Sequence, residues 1–230
     1  MGPTEESLRS NFRTLRAGID RACARVGRDP AEVLLVAASK SVAVPAITSA
    51  IHIGVADFGE NYVNELRAKH AAVPGARWHF IGTLQTGGAH HVAALADVVQ
   101  TIAGGKATDR LARRAAESGR TIEAMIEVDF TGERTGVSPE GAPQLADRVA
   151  ALAGLRLVGL MTVPALTNEA EDARPTFAKL RELRDRIAAQ HPQVLELSMG
   201  MSLDYEVAIE EGATMVRVGT ALFGPRVPST

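Results

Sequence analysis

Lys40 is the first residue whose type and place suggest chemistry. It follows the apolar run 33–38 (Val33 to Ala38) and Ser39. A lysine ending a buried strand has its stem among hydrophobic walls and its amine in a cleft. Desolvation weakens such an amine's hold on its proton and frees a nucleophile. The plainer alternative is a lysine snorkelling to solvent past a strand end. Two small turns stand near the other end of the chain: Ser198-Met199-Gly200-Met201-Ser202 and Gly219-Thr220. Such turns bind phosphate through backbone N–H groups ahead of a helix, or Ser202 and Thr220 simply cap the helices that follow. Arg217 interrupts the apolar segment Met215 to Val218. A guanidinium cannot sit unpaired in a core, so it needs a carboxylate, a ligand acceptor or solvent. His79, between Trp78 and Phe80, reads more readily as a hydrogen-bonded core residue than as a ligand. Glu60, Glu127 and Asp129 are the types for a glycosidase-like pair, but nothing in the sequence brings them together. His90 and His91 are adjacent and face apart on a helix; no Cys, His and carboxylate set has zinc spacing, so no metal is expected.

These groups need a scaffold, and the hydrophobic pattern supplies one. Residues 5–26 carry Leu8, Phe12, Leu15, Ile19, Ala22 and Val26 at helical spacing. After that extra helix, short apolar runs alternate with helical stretches. The predicted strands are 33–38, one ending at Phe58, 78–81, 98–102, 122–128, 155–160, 194–197 and 214–218. The predicted helices are 44–54, 61–71, 86–95, 106–118, 140–152, a long one over 169–190, and 203–211. Continuous apolar strands separated by helices indicate a parallel sheet buried on both faces. Eight such units predict a closed (β/α)8 TIM barrel with an extra N-terminal helix, one domain over residues 1–230. An open doubly wound sheet is the runner-up, but the turn after the first strand lacks a G-x-G-x-x-G pattern. In a barrel, function gathers at the C-terminal strand ends, where Lys40, Asn61, His79, both small turns and Arg217 fall.

Composition narrows the partners. The 230 residues are 46% hydrophobic and 23% charged, with formal net charge −2. A chain this near neutral offers no electrostatic footprint for nucleic acid or an anionic membrane. No run of about 18 apolar residues predicts a membrane span, and the N-terminus lacks a signal-peptide pattern. The single cysteine, Cys23, rules out an internal disulfide; a cytoplasmic location is expected.

A lysine nucleophile, a phosphate cradle and a buried arginine in one barrel mouth suggest one ligand, pyridoxal 5′-phosphate (PLP). It carries an aldehyde for the lysine, a phosphate for the cradle and a ring nitrogen for the arginine. At these residues the chain resembles the pyridoxal phosphate homeostasis protein family along nearly its whole length. The matching segments are 35–40, 58–65, 78–82 with Leu84-Gln85, 159–162, 197–202 and 208–226. The resemblance implies a barrel like the N-terminal domain of alanine racemase, monomeric or weakly dimeric, holding PLP as a Schiff base on Lys40. It further implies that Ser198, Gly219 and Thr220 hold the phosphate, with Met199 and Gly200 in the same turn. Arg217 is then expected to face the pyridine nitrogen, and Asn61 and His79 to line the pocket. The chain departs from the family pattern at Thr83, Gly87-Gly88, 102–106 and 129–136, which touches the rim near strands three to five. The sequence does not say whether Arg226 or other surface basic residues hold a second PLP.

PLP racemisation needs a proton acceptor on each face of the substrate. Lys40 could serve one; the only tyrosines are Tyr62, near the mouth, and Tyr205. A carrier or reservoir that passes PLP to apo forms of PLP-dependent enzymes is therefore the favoured reading, without catalytic residues. The rivals are a PLP-dependent amino-acid enzyme such as a racemase and a class I aldolase, whose lysine attacks a substrate carbonyl without a cofactor.

Overall fold

The apolar runs form eight parallel strands, and they close into a barrel in chain order. The structure is a computed structural model and describes residues 3–225, so Arg226 lies outside the described residues. The strands are β1 (Leu34–Ala38), β2 (Asp57–Glu60), β3 (Arg77–Phe80), β4 (Val98–Ile102), β5 (Ile122–Glu127), β6 (Leu155–Met161), β7 (Glu196–Ser198) and β8 (Met215–Val218). The helices are α1 (Glu5–Val26), α2 (Val44–His52), α3 (Val63–Ala72), α4 (Ala89–Leu95), α5 (Gly105–Glu117), α6 (Ala142–Ala150), α7 (Arg174–Ala188), α8 (Tyr205–Glu210) and α9 (Thr220–Phe223). No helix among the described residues is long and apolar enough to cross a membrane.

Alternation along each strand divides the core in two. One set of side chains, with Phe58, Trp78, Phe80, Ile102 and Ile126, packs between sheet and helices. A smaller set fills the lumen: Val98, Met125, Val158, Met161 and Met215. The lumen is a packed interior, as expected of a barrel of this size.

The extra helix α1 starts at Thr4, whose side chain accepts the Ser7 N–H, and ends at Gly27 in the left-handed region at φ 67°. It buries Leu8, Leu15, Ile19, Ala22 and Cys23, and Asn11 Nδ2 donates to Leu222 O at 2.9 Å, tying α1 to α9. Gly18 lets α8 approach closely, since a Cβ there would meet the Tyr205 hydroxyl. Arg21 and Arg25 of α1 pair with Glu206 and Glu210 of α8, and Arg174 of α7 reaches Glu210 from the other side. Exposed pairs are individually weak, but this set fastens the short α8 behind the turn 199–204.

Two boundaries differ from the sequence reading for physical reasons. The helix expected over 169–190 is a 3-10 turn at Ala170–Ala173 followed by α7. Pro175 sits in the first turn of α7, where its missing N–H costs no helical bond. The second strand continues past Phe58 to Glu60, and all four of its residues are buried. A buried glutamate is tolerated there because cationic and hydroxyl partners meet it.

Candidate functional site

The C-terminal strand ends form a mouth whose two sides are built differently. On the β1–β2 side stands Lys40, two residues past the end of β1 and half-buried. Its Nζ lies 6.0 Å from the centre of the Tyr62 ring, and it makes no hydrogen bond among the described residues. Its neighbours, in contrast, are tied down. Ser39 Oγ donates to Glu60 Oε1 at 2.7 Å, and the Ser41 N–H donates to Glu65 Oε2 at 2.8 Å. Lys69, from α3, sits beneath. Its Nζ donates to Ser39 O at 2.8 Å, Glu60 Oε1 at 2.6 Å and Glu65 Oε2 at 2.7 Å. Ser41 holds a left-handed backbone at φ 62°, rare for a residue with a Cβ.

Burial sets the charges of this cluster. Glu60 is fully buried, and its Oε2 has no hydrogen-bond partner. Burial pushes its carboxyl above the usual range against the pull of Lys69 and Ser39. Burial also opposes the Glu65 carboxylate, but bonds from Lys69 and the Ser41 N–H and the nearby Lys40 charge outweigh it and hold Glu65 low.

On the β7–β8 side, Arg217 points into the lumen. Its Nη1 donates to Ser198 Oγ at 2.6 Å and its Nη2 to Thr162 O at 2.8 Å. No carboxylate pairs with it among the described residues. Burial pushes its guanidinium down to about 10, against the attraction of Asp204 and Glu127. The chain of bonds continues inward. Ser198 Oγ donates to Gln100 Oε1 at 2.7 Å, Gln100 Nε2 lies 2.9 Å from His79 Nδ1, and His79 Nε2 lies 2.9 Å from Asp57 Oδ1. With the Gln100 amide as placed, Ser198 accepts from Arg217 and donates to Oε1, and Nε2 faces His79 Nδ1, an arrangement that suits the His79 tautomer with its proton on Nε2, facing Asp57.

The glycine turn completes the mouth. β8 pairs with β1, with Val36 opposite Arg217 and Ala37 opposite Val218. Gly219-Thr220 and Lys40 therefore follow neighbouring strand ends. The N–H groups of Gly219 and Thr220 have no acceptor among the described residues. Ser202 Oγ accepts the Ala221 N–H at 3.2 Å, which leaves its own proton free. Gly200 holds φ 90°, and a Cβ there would lie 2.5 Å from Ala208 Cβ, so the turn 199–204 requires glycine.

The expected site residues thus separate. Lys40, Asn61, Gly219 and Thr220 lie at the mouth, and Arg217 rises toward it from the lumen. Ser198 is fully buried, with its hydroxyl bonded to Arg217 and Gln100. His79 is a fully buried link of the lumen chain rather than a wall of an open pocket. Met199 is buried in the outer core. Ser202, expected either to bind phosphate within its turn or to cap a helix, reaches the start of α9. The sequence does not single out Lys69, Glu65 or Gln100 as site residues. Of the carboxylates, Glu60 is bound to Lys69, while Asp129 accepts from the Thr131 N–H, the Thr131 hydroxyl and the Arg134 N–H. At the opposite face, a cavity of about 470 Å³ is bordered by Asp57, Arg77 and Glu123, whose charges satisfy one another.

Residues 6–227 match the family profile described as alanine racemase, N-terminal domain. A pyridoxal phosphate homeostasis protein of Aquifex aeolicus is 40% identical over 213 residues, spanning 90% of this chain and 93% of its own. Its counterpart in Escherichia coli K12 is 37% identical over 227 residues, spanning 94% and 95%. Among solved structures, PipY of Synechococcus elongatus with PLP bound superposes with TM-score 0.84 at 32% identity, covering 94% of this chain and 100% of that one. An alanine racemase of Clostridium difficile shares the fold, with TM-score 0.76 at 15% identity over 97% of this chain and 57% of its own.

Proposed function

The chain belongs to the pyridoxal phosphate homeostasis protein family, and from that premise we propose that it binds PLP on Lys40 and holds the cofactor for use elsewhere. The observation that carries this reading is the pairing of β8 with β1, which brings side by side the two strand ends that Lys40 and the Gly219-Thr220 turn follow. The donor set fits the group. The two unused N–H groups and the Ser202 hydroxyl suit a phosphate, and Arg217, a buried cation without a carboxylate, suits an uncharged ring nitrogen as its acceptor. When bound, PLP supplies an aldehyde with which the Lys40 amine condenses, one C=N bond formed and one water released. Asn61, beside Gly82 at the rim, completes the wall. Ser198, Met199, Gly200 and His79 support the site from behind rather than touch the cofactor.

A holder rather than an enzyme is favoured by the acid-base inventory. Tyr205 is turned into the α1–α8 contact, where its hydroxyl meets Glu206. Tyr62 alone stands near Lys40, and it is 55% exposed, poorly shielded for proton transfer at a carbanion. An arginine at the ring nitrogen also keeps that nitrogen unprotonated, which weakens the ring as an electron sink. The protein is read as a single unit over residues 1–230, a cytoplasmic monomer or weak dimer that delivers PLP to apo-enzymes. The test mixes PLP-loaded protein with an apo PLP-dependent enzyme, and in parallel with single alanine enantiomers. Reactivation of the apo-enzyme without racemisation supports the holder; racemisation abolished by Tyr62→Phe establishes the enzyme instead.

A further inference from the structure

We propose that Lys69 is a positioning residue that holds the Lys40 amine ready for the aldehyde, an inference that rests on the PLP-binding reading above. Lys69 comes from α3, touches no part of the mouth, and its side chain is only 7% exposed. Yet its three bonds reach both residues flanking Lys40. One goes directly to Ser39 O; the other two go to the carboxylates that accept from Ser39 Oγ and from the Ser41 N–H. The backbone on either side of Lys40 is thus fixed to one ammonium group. The left-handed Ser41 is what this clamp maintains: with its N–H released from Glu65, the residue has every steric reason to leave that conformation.

The charge of Lys69 matters as much as its reach. Glu65 feels both Lys69 and Lys40. While Lys69 occupies Glu65 and Glu60, the Lys40 ammonium has no carboxylate partner and stays directed at the mouth. With Lys69 gone, the two carboxylates become the natural partners of Lys40, and an ion pair would draw the amine away from the cofactor.

The experiment separates positioning from mere stability with two probes. Pyridoxine 5′-phosphate lacks the aldehyde and reads the cradle alone; PLP followed by borohydride reads adduct formation on Lys40. Both are measured in the wild type, Lys69→Met and Glu65→Ala, with thermal melts alongside. Adduct formation is expected to slow at least ~10-fold in Lys69→Met and ~3-fold in Glu65→Ala, the scale of a misplaced reacting group. Affinity for pyridoxine 5′-phosphate is expected to stay within about twofold of wild type, because the cradle and its donors are untouched. Adduct formation at the wild-type rate in these variants overturns the proposal, as does a parallel loss of both probes in step with the melt. If Lys69→Met does not fold, Glu65→Ala decides, since Glu65 is partly exposed and carries one arm of the clamp. A wild-type protein that forms no adduct on Lys40 instead overturns the PLP reading itself.

Discussion

The two sides of the barrel mouth solve the same problem with different physics. Around Lys40 the support is ionic: one buried ammonium between two carboxylates, with an acid oxygen left unpartnered. Around Arg217 it is a directed relay of mostly neutral groups, ending at Asp57 on the opposite side of the lumen. The proposed function accounts for the difference. A Lys40 that condenses with PLP needs fixed neighbours and a free amine. An Arg217 that donates to the ring nitrogen needs a fixed side chain, and it is bound at both Nη atoms. An ionic clamp is sensitive to the loss of any one charge. A neutral chain loses one or two bonds at a time, at a smaller cost each.

The sharpest way to break this contrast is to remove one charge on the ionic side. Lys69→Met leaves Glu60 buried without its cation and is expected to cost ~3–5 kcal/mol in chemical denaturation. Adding Glu60→Leu is expected to recover most of that loss, since a buried pair replaced by apolar groups is often neutral. A double variant as unstable as the single one would show that the cluster is not acting as an ion pair.

On the neutral side, Gln100→Leu strands the Ser198 proton and His79 Nδ1 and is expected to cost ~2 kcal/mol. It is also expected to weaken PLP affinity, because Ser198 is then free to turn from Arg217; unchanged affinity would separate the relay from the cofactor. Ser198→Ala is expected to cost ~1 kcal/mol while leaving phosphate binding nearly intact. A collapse of affinity for inorganic phosphate in that variant would return Ser198 to the cradle.

The smallest effect is a pH dependence on the acid side, carried by the ionic cluster. Glu65 is held below its ordinary value of 4.5 in the fold, so its contribution is present above that pH and is lost as pH falls through the folded value. Glu60 is raised by burial and acts in the opposite sense, costing stability as pH rises through its folded value. Glu65→Gln is expected to flatten the acid limb of thermal stability below pH 4.5, and an unchanged limb would assign that limb to other carboxylates.

The barrel was legible because eight buried strands write continuous apolar runs, and Lys40 and Gly219-Thr220 were legible because they follow such runs. What escaped was polar and inward-facing. Glu65 and Lys69 lie four residues apart on α3 and look like an exposed helical pair; only the preceding strand-end Glu60 hinted that they turn inward. Gln100 stands among Val98, Val99 and Ile102, and its place in the period-2 pattern was the available signal for a lumen group. Ser198 was assigned to the phosphate because sequence places it in the right turn. The sequence does not say that the Ser198 hydroxyl bonds to Arg217 and Gln100, while Ser202 reaches the α9 start. The 3-10 turn before α7 was hidden because the charged pattern of 169–190 continues through Pro175 without a change of period.

The proposed function stands or falls with PLP on Lys40. A visible absorption spectrum of purified protein with PLP decides it, taken before and after borohydride and followed by peptide mapping, beside Lys40→Ala. A yellow band that borohydride bleaches is expected, with the reduced pyridoxyl group on the Lys40 peptide and on no peptide of the variant. A colourless protein that takes up no PLP, or a label that persists unchanged in Lys40→Ala, would contradict it.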